Sequence, residues 1–223
     1  MGSRRVLVLT DPVAFIREQT ALATPVLVPE IRLHLATEVT PLWRASETLL
    51  ATRNVPPPYW AFAWPGGQAL ARYLLDRPET VRGRRVLDFA AGSGLVGIAA
   101  VHAQAAAVAA ADIDAHAAAA IKLNAAANSA AVDIITDDLI GRPSAWDVVL
   151  AGDVCYEQPM AGRTTAWLRT LAAAGTEVLL GDPGRTYRPA DGLMELARYQ
   201  VPTSLELETR TLCDTAVWRL LPQ

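Results

Sequence analysis

The stretch Val86-Leu87-Asp88-Phe89-Ala90-Ala91-Gly92-Ser93-Gly94-Leu95-Val96-Gly97-Ile98-Ala99-Ala100 constrains the chain most. Val86 to Phe89 are apolar or β-favouring, the glycines form a turn, and Leu95 to Val101 are small and branched apolar residues suited to a helix packed on a sheet. A strand, a tight turn and a helix in this order bring backbone amides up to a ligand. Gly92-Ser93-Gly94-Leu95-Val96-Gly97 is a literal G-x-G-x-x-G, the pattern of a dinucleotide site. In such a site, however, the first glycine follows the strand almost at once and the helix N-terminus receives a pyrophosphate. Here Asp88 stands four residues before Gly92, and an acid beside the turn repels a diphosphate while attracting a ligand that carries an ammonium.

Along the rest of the chain the pattern repeats. Strands are expected at Ala107 to Ala111, Val132 to Thr136, Trp146 to Gly152 and Glu177 to Gly181, and helices at Ala115 to Asn128, Met160 to Ala173 and Leu193 to Tyr199. This alternation predicts an α/β fold with a doubly wound, mostly parallel sheet covered on both faces. Leu205 to Thr209 and Ala216 to Leu220 have no helix between them and predict a C-terminal antiparallel hairpin turning near Asp214.

Upstream, residues 1–65 read as an extension and aromatic cover, and residues 66–223 as the main domain. The extension is expected to hold a helix over Asp11 to Ala23 capped by Thr10 or Asp11, a strand over Val28 to Leu35, and a helical or irregular piece with Leu42, Trp43, Leu49 and Leu50. His34 falls on the polar phase of that strand and is expected at the surface. Pro56-Pro57-Pro58 then stiffens an approach to Tyr59, Trp60, Phe62 and Trp64, in a chain only 6% aromatic. Such a cluster roofs a pocket or plugs the core, and Trp64 is assigned to the pocket. Gly67 to Asp76 carries Leu70, Tyr73 and Leu74 at helical spacing and leads into the glycine strand.

Bulk properties narrow the function. A chain of 223 residues holds one substantial domain, and the formal charge of −3 lacks the basic face that nucleic-acid backbones require. Cys155 and Cys213 are far apart with no metal-ligand spacing, which argues against structural zinc and a disulfide scaffold. With no membrane-spanning or leader-like stretch, the expected location is the cytoplasm. Lys122 is the only lysine, and the Arg and Ala bias suggests a GC-rich bacterial genome.

In doubly wound sheets the ligand lies at the C-terminal ends of the strands, where strand order reverses. Asp112, about twenty residues after Gly92, stands where an acid accepts both hydroxyls of a ribose. Asp114 is placed to cap the following helix. Asp137 and Asp138 end the next strand, where one of them accepts from an adenine amino group or both simply cap and meet solvent. Asp153 and Tyr156 follow the fourth strand, with Cys155 between them as a packed hydrophobe, and Arg185 follows the fifth, where it contacts an acidic substrate surface or caps carbonyls. His102 and His116 lack metal partners at i+4 and are given no chemistry.

The spacing Asp88-x-x-x-Gly92-x-Gly94 resembles motif I of the class I methyltransferases that use S-adenosylmethionine (AdoMet), and Asp153-x-x-Tyr156 resembles the D-x-x-Y motif of seven-strand protein-lysine methyltransferases. Together with Trp64-Pro65-Gly66-Gly67-Gln68, Gly181-Asp182-Pro183-Gly184-Arg185 and Val217-Trp218, the chain from about Asp11 onward resembles the electron transfer flavoprotein (ETF) β-subunit lysine methyltransferase family. The resemblance implies a seven-stranded Rossmann-like sheet, AdoMet as cofactor, no metal, and a protein substrate: the ETF β subunit, or else another acceptor such as a ribosomal protein or small amine. Taken with the strand-end positions above, the cofactor is assigned to Trp64, Asp88, Gly92, Ser93, Gly94, Asp112, Asp137 and Gly152, and the acceptor amine to Asp153 and Tyr156. A nicotinamide enzyme and a non-catalytic cofactor binder are the competing readings. One departure is Ala90-Ala91, where relatives often carry a glycine before the G-x-G; it is tolerated if the backbone there keeps φ negative.

Overall fold

A computed structural model describes residues 11–37, 42, 57–203, 208 and 211–222. Its frame is a seven-stranded sheet formed by β3 (Arg85–Phe89), β4 (Ala107–Ala111), β5 (Asp133–Ile135), β6 (Val148–Gly152), β7 (Glu177–Asp182), β8 (Leu193–Pro202) and β9 (Leu212–Leu220), in the spatial order β5-β4-β3-β6-β7-β9-β8. The five strands β3 to β7 pair in parallel, and β9 is antiparallel to both β7 and β8. This is the expected doubly wound sheet with its reversed hairpin.

Four helices make the layers: α2 (Pro65–Asp76), α3 (Leu95–His102), α4 (Ala115–Ala127) and α5 (Met160–Ala173). Both faces of β3 are covered, because Val86 packs among Leu70, Leu74 and Ile98, whereas Leu87 packs among Val149, Trp167 and Leu171. A strand buried on both faces is apolar on both, as Val86, Leu87 and Phe89 are here, with Asp88 the one buried acid among them. Strand order reverses between β3 and β6, so the carboxyl ends of these two strands open a crevice.

The N-terminal residues join the same body. Helix α1 (Pro12–Gln19) is capped by Asp11, whose Oδ1 accepts from the amides of Val13 and Ala14. It ends before the expected Ala23, because Thr20 turns extended and Ala21–Ala23 (β1) pairs antiparallel with Leu33–Leu35 (β2). The strand expected from Val28 is thus shorter, while Val28, Ile31 and Leu33 are fully buried in the cluster that contains Leu70 and Leu74. His34 is half-buried rather than on the surface, with Nδ1 3.2 Å from Thr20 Oγ1. Leu42 is buried; Thr10, Trp43, Leu49, Leu50 and Pro56 lie outside the described residues.

The expected helix over Leu193 to Tyr199 is strand β8 instead. A bulge between Glu195 and Ala197 sets Leu196 and Ala197 side by side against the core, and this break in alternation mimics helical spacing. Consequently the hairpin turns after Pro202, and Asp214 lies within β9 opposite Gln200. Of the strand expected over Leu205 to Thr209, only Glu208 lies within the described residues.

Candidate active site

The turn after β3 is built by carboxylates. Gly94 has φ +77 and no side chain to cap α3, so Asp88 does so from the strand, its Oδ2 accepting from the Gly97 amide at 2.8 Å. Asp88 is only 2% exposed, and that burial pushes its carboxyl up to about 8, against the pull of the Gly97 amide. Asp112, just past β4, accepts from the Gly92 amide at 2.8 Å and from the Asp114 amide at 3.0 Å, so it pins the turn to the neighbouring strand end. Burial raises its pKa as well. Asp114 caps α4, as its position predicts, by accepting from the His116 amide. Ala90 has φ +53, so the turn does not keep φ negative there; the alanine occupies a left-handed conformation that glycine would adopt without strain.

A second junction lies across the crevice. The N-terminus of α2 runs against the ends of β6 and β7 so closely that a Cβ on Gly152 would stand 2.9 Å from the Cα of Gly67, and one on Gly181 would overlap the carbonyl oxygen of Gly66. This close approach of backbone to backbone is the physical content of the W-P-G-G-Q and G-D segments. It also sets Asp153, at φ +55, with Oδ2 2.9 Å from the Gly67 amide. Asp153 therefore caps α2, not the following helix, whose N-cap is Pro159. Burial pushes the Asp153 carboxyl up to about 7, although Arg185 and the Gly67 amide pull the other way.

At the end of β7, Asp182 is buried and accepts from the amides of Gly184 and Arg185 at 2.7 and 2.8 Å, which folds the loop so that Arg185 turns inward. Arg185 borders the cleft, and its guanidinium is held by carboxylates and not by the carbonyls expected from the sequence. Its Nη2 lies 3.3 Å from Asp153 Oδ1, its Nη1 is 3.1 Å from Glu208 Oε2, and its guanidinium stands 6.0 Å from the centre of the Trp64 ring.

Between the two junctions is a cleft of about 610 Å³, a volume suited to a nucleoside-sized ligand. Trp64, Asp88, Gly92, Ser93, Asp112, Asp137, Gly152, Asp153 and Tyr156 all line it. Gly94 does not: it faces α4, where a Cβ would come 3.2 Å from Ile121 Cγ1, so its part is to let the turn form. Asp137 and Asp138 both border the cleft, but Asp137 is ion-paired with Arg142 at 3.1 Å and Asp138 accepts from the Ile140 amide. An aromatic wall stands beside Asp153, with the Tyr59 ring 5.4 Å from Tyr156 and 6.0 Å from Trp64. Cys155 is buried, and its thiol is pushed up to about 12 by that burial, which leaves it unreactive.

The donor set fits AdoMet. Carboxylates at Asp88 and Asp112 suit an ammonium and ribose hydroxyls, each oxygen retains a lone pair beyond its backbone bond, and nothing of this kind suits a diphosphate. Among the described residues, no group of three or more His, Cys, Asp or Glu is arranged to hold a metal, and no helix is long and apolar enough to cross a membrane.

Residues 62–152 match the family model described as Methyltransferase small domain. Over 200 residues the chain is 42% identical to the electron transfer flavoprotein beta subunit lysine methyltransferase of Danio rerio, covering 86% of this chain and 76% of that one. This chain belongs to that family. The Xenopus laevis member is 40% identical over 220 residues, covering 96% and 88% of the two chains. Among solved structures, magnesium protoporphyrin IX methyltransferase from Synechocystis PCC 6803, solved with bound SAM, shares the fold at TM-score 0.54 and 16% identity, over 71% of this chain and 80% of that one.

Within this family member, two contacts that build the site are not legible in local sequence. Glu208 sits in a stretch that reads as an ordinary strand, and only the folding of the hairpin brings it to Arg185. Gly66 and Gly181 lie in motifs that resemblance picks out, but their contact joins positions far apart in the chain.

Proposed function

We propose that this chain transfers methyl groups from AdoMet to lysine side-chain amines of the ETF β subunit. The observation that carries the reading is the placement of Asp153 and Tyr156 in one cleft with the Asp88, Gly92 and Asp112 turn. Membership of the ETF β-subunit lysine methyltransferase family supports the acceptor.

AdoMet supplies an electrophilic methyl group on a sulfonium. Asp112 would accept the ribose hydroxyls, and Asp88 would offer a carboxyl oxygen to the ammonium end, whose positive charge favours the ionised form of that acid. Displacement at that methyl is in line, so the amine must arrive neutral with its lone pair aimed. Lysine titrates at about 10.4 in water, so its proton leaves to solvent before transfer. Asp153 accepts an amine N–H and thereby directs the lone pair; its oxygens have capacity for this beyond the Gly67 and Arg185 bonds. Tyr156 and Tyr59, with rings 5.4 Å apart, narrow the passage and keep water from the reacting nitrogen.

The test is mass spectrometry of purified ETF β subunit after incubation with this protein and AdoMet. Lysine mass shifts in multiples of one methyl are expected. An unmodified β subunit, with a different protein labelled when this protein and labelled AdoMet are added to a cell lysate, would reassign the acceptor.

A further inference from the structure

We propose that Arg185 is a positioning residue for Asp153, and that Glu208, from the β8–β9 connection, sets how strongly it acts. The proposal rests on the methyl-transfer reading. Among the described residues, Arg185 is the side chain ion-paired with Asp153, at 3.3 Å, and it shares its guanidinium with Glu208. The side chains of Asp153, Glu208 and Arg185 are 10%, 12% and 22% exposed, so their charges act through protein more than through solvent. The other groups around Asp153 are the Gly67 amide at the α2 N-terminus, Asp182 at the end of β7 with its partner Arg188, and the neighbouring Cys155 and Tyr156.

Two consequences for the amine point the same way. A guanidinium beside Asp153 favours its ionised form against the pull of burial, and the lone pairs left beyond the Gly67 and Arg185 bonds give an amine N–H an acceptor. The same fixed positive charge, near the reacting nitrogen, opposes the ammonium form and so favours the neutral amine that transfer requires. Glu208 draws part of that charge away. Removing Arg185 therefore raises the pH at which Asp153 ionises and the pH at which the bound lysine loses its proton. Removing the Glu208 charge lowers both.

The experiment follows the Asp153 carboxyl carbon by 13C NMR in the full-length protein across pH, with Asp153→Asn assigning the signal. Arg185→Gln should raise the midpoint by about one pH unit or more, a tenfold change in proton affinity. Arg185→Lys should stay near the wild-type value, and Glu208→Gln should move it down. The acid limb of methyl transfer at saturating AdoMet should shift in the same order, while calorimetric AdoMet affinity stays within about twofold of wild type in all three. An Asp153 midpoint that is unchanged in both Arg185→Gln and Glu208→Gln overturns the proposal. The NMR result stands by itself if the ETF β subunit is not the acceptor, so the two readings fail separately.

Discussion

A Cβ atom on Gly66 would overlap the carbonyl oxygen of Gly181, and one on Gly181 would overlap that of Gly66. The first turn of α2 thus lies directly on the end of β7, and the Gly67 amide is delivered to Asp153 by that contact. Gly181→Ala should cost about 1–3 kcal/mol, the range for overpacking a tight site, and should depress methyl transfer by lifting α2 off Asp153. Gly67→Ala is the control, because its nearest neighbour would be Val96 Cγ2 at 3.9 Å, an ordinary contact. Urea melts of the two variants should differ in sign or nearly so; equal stability of Gly181→Ala and wild type would contradict the tight junction.

Ala90 at φ +53 is strained where glycine would not be. Ala90→Gly should raise stability by about 0–1 kcal/mol, the left-handed penalty of roughly 1–2 kcal/mol less the chain entropy that glycine adds to the unfolded state. Ala90→Val should be clearly destabilised. Thermal melts of the pair decide it, and a valine variant as stable as the parent would show that the turn relaxes.

Asp88 supplies a pH dependence with a definite sign. Its pKa is raised in the fold to about 8 from an ordinary 3.8, so the native state holds a proton that the unfolded chain releases. Its contribution is complete below the unfolded value and is lost as pH rises toward 8. Asp88→Asn keeps an oxygen for the Gly97 amide without the buried charge. Its melting temperature relative to wild type should therefore climb between about pH 4 and pH 8, by about 2–4 °C for each kcal/mol recovered in a chain of this size. A pH-independent difference would remove Asp88 as the titrating group.

Asp112 serves the turn as well as the ligand, since it accepts from the Gly92 and Asp114 amides. Asp112→Ala should lose stability together with AdoMet affinity. Asp112→Asn retains an acceptor oxygen and should weaken AdoMet by about 1–3 kcal/mol with a smaller loss of stability, through the missing charge-assisted bonds to ribose. Unchanged calorimetric affinity would take Asp112 out of the ligand site.

Asp153→Asn should bind AdoMet normally and still accept from Gly67, yet transfer methyl roughly 100-fold more slowly because the amine is no longer aimed. Near-normal turnover would leave Asp153 with capping of α2 alone.

Several features follow from the sequence by itself. The strand-forming run Val86 to Phe89, the glycines after it and the acids at the ends of β3, β4 and β6 determine a doubly wound sheet with a cleft at its switch point, because strand, turn and helix periodicities are local properties. The lysine methyltransferase family is legible in short segments such as Trp64 to Gln68 and Gly181 to Arg185. Other features were decided only by tertiary structure. Strand β8 exists because β9 pairs with it, across a bulge that disguises its alternation. Asp88 and Asp153 are capping groups as well as site groups because helices α3 and α2 begin on glycine or proline and draw on carboxylates from strand ends. The Asp153–Arg185–Glu208 set joins residues that no spacing rule connects, and its energetics arise from burial, which depends on the whole fold.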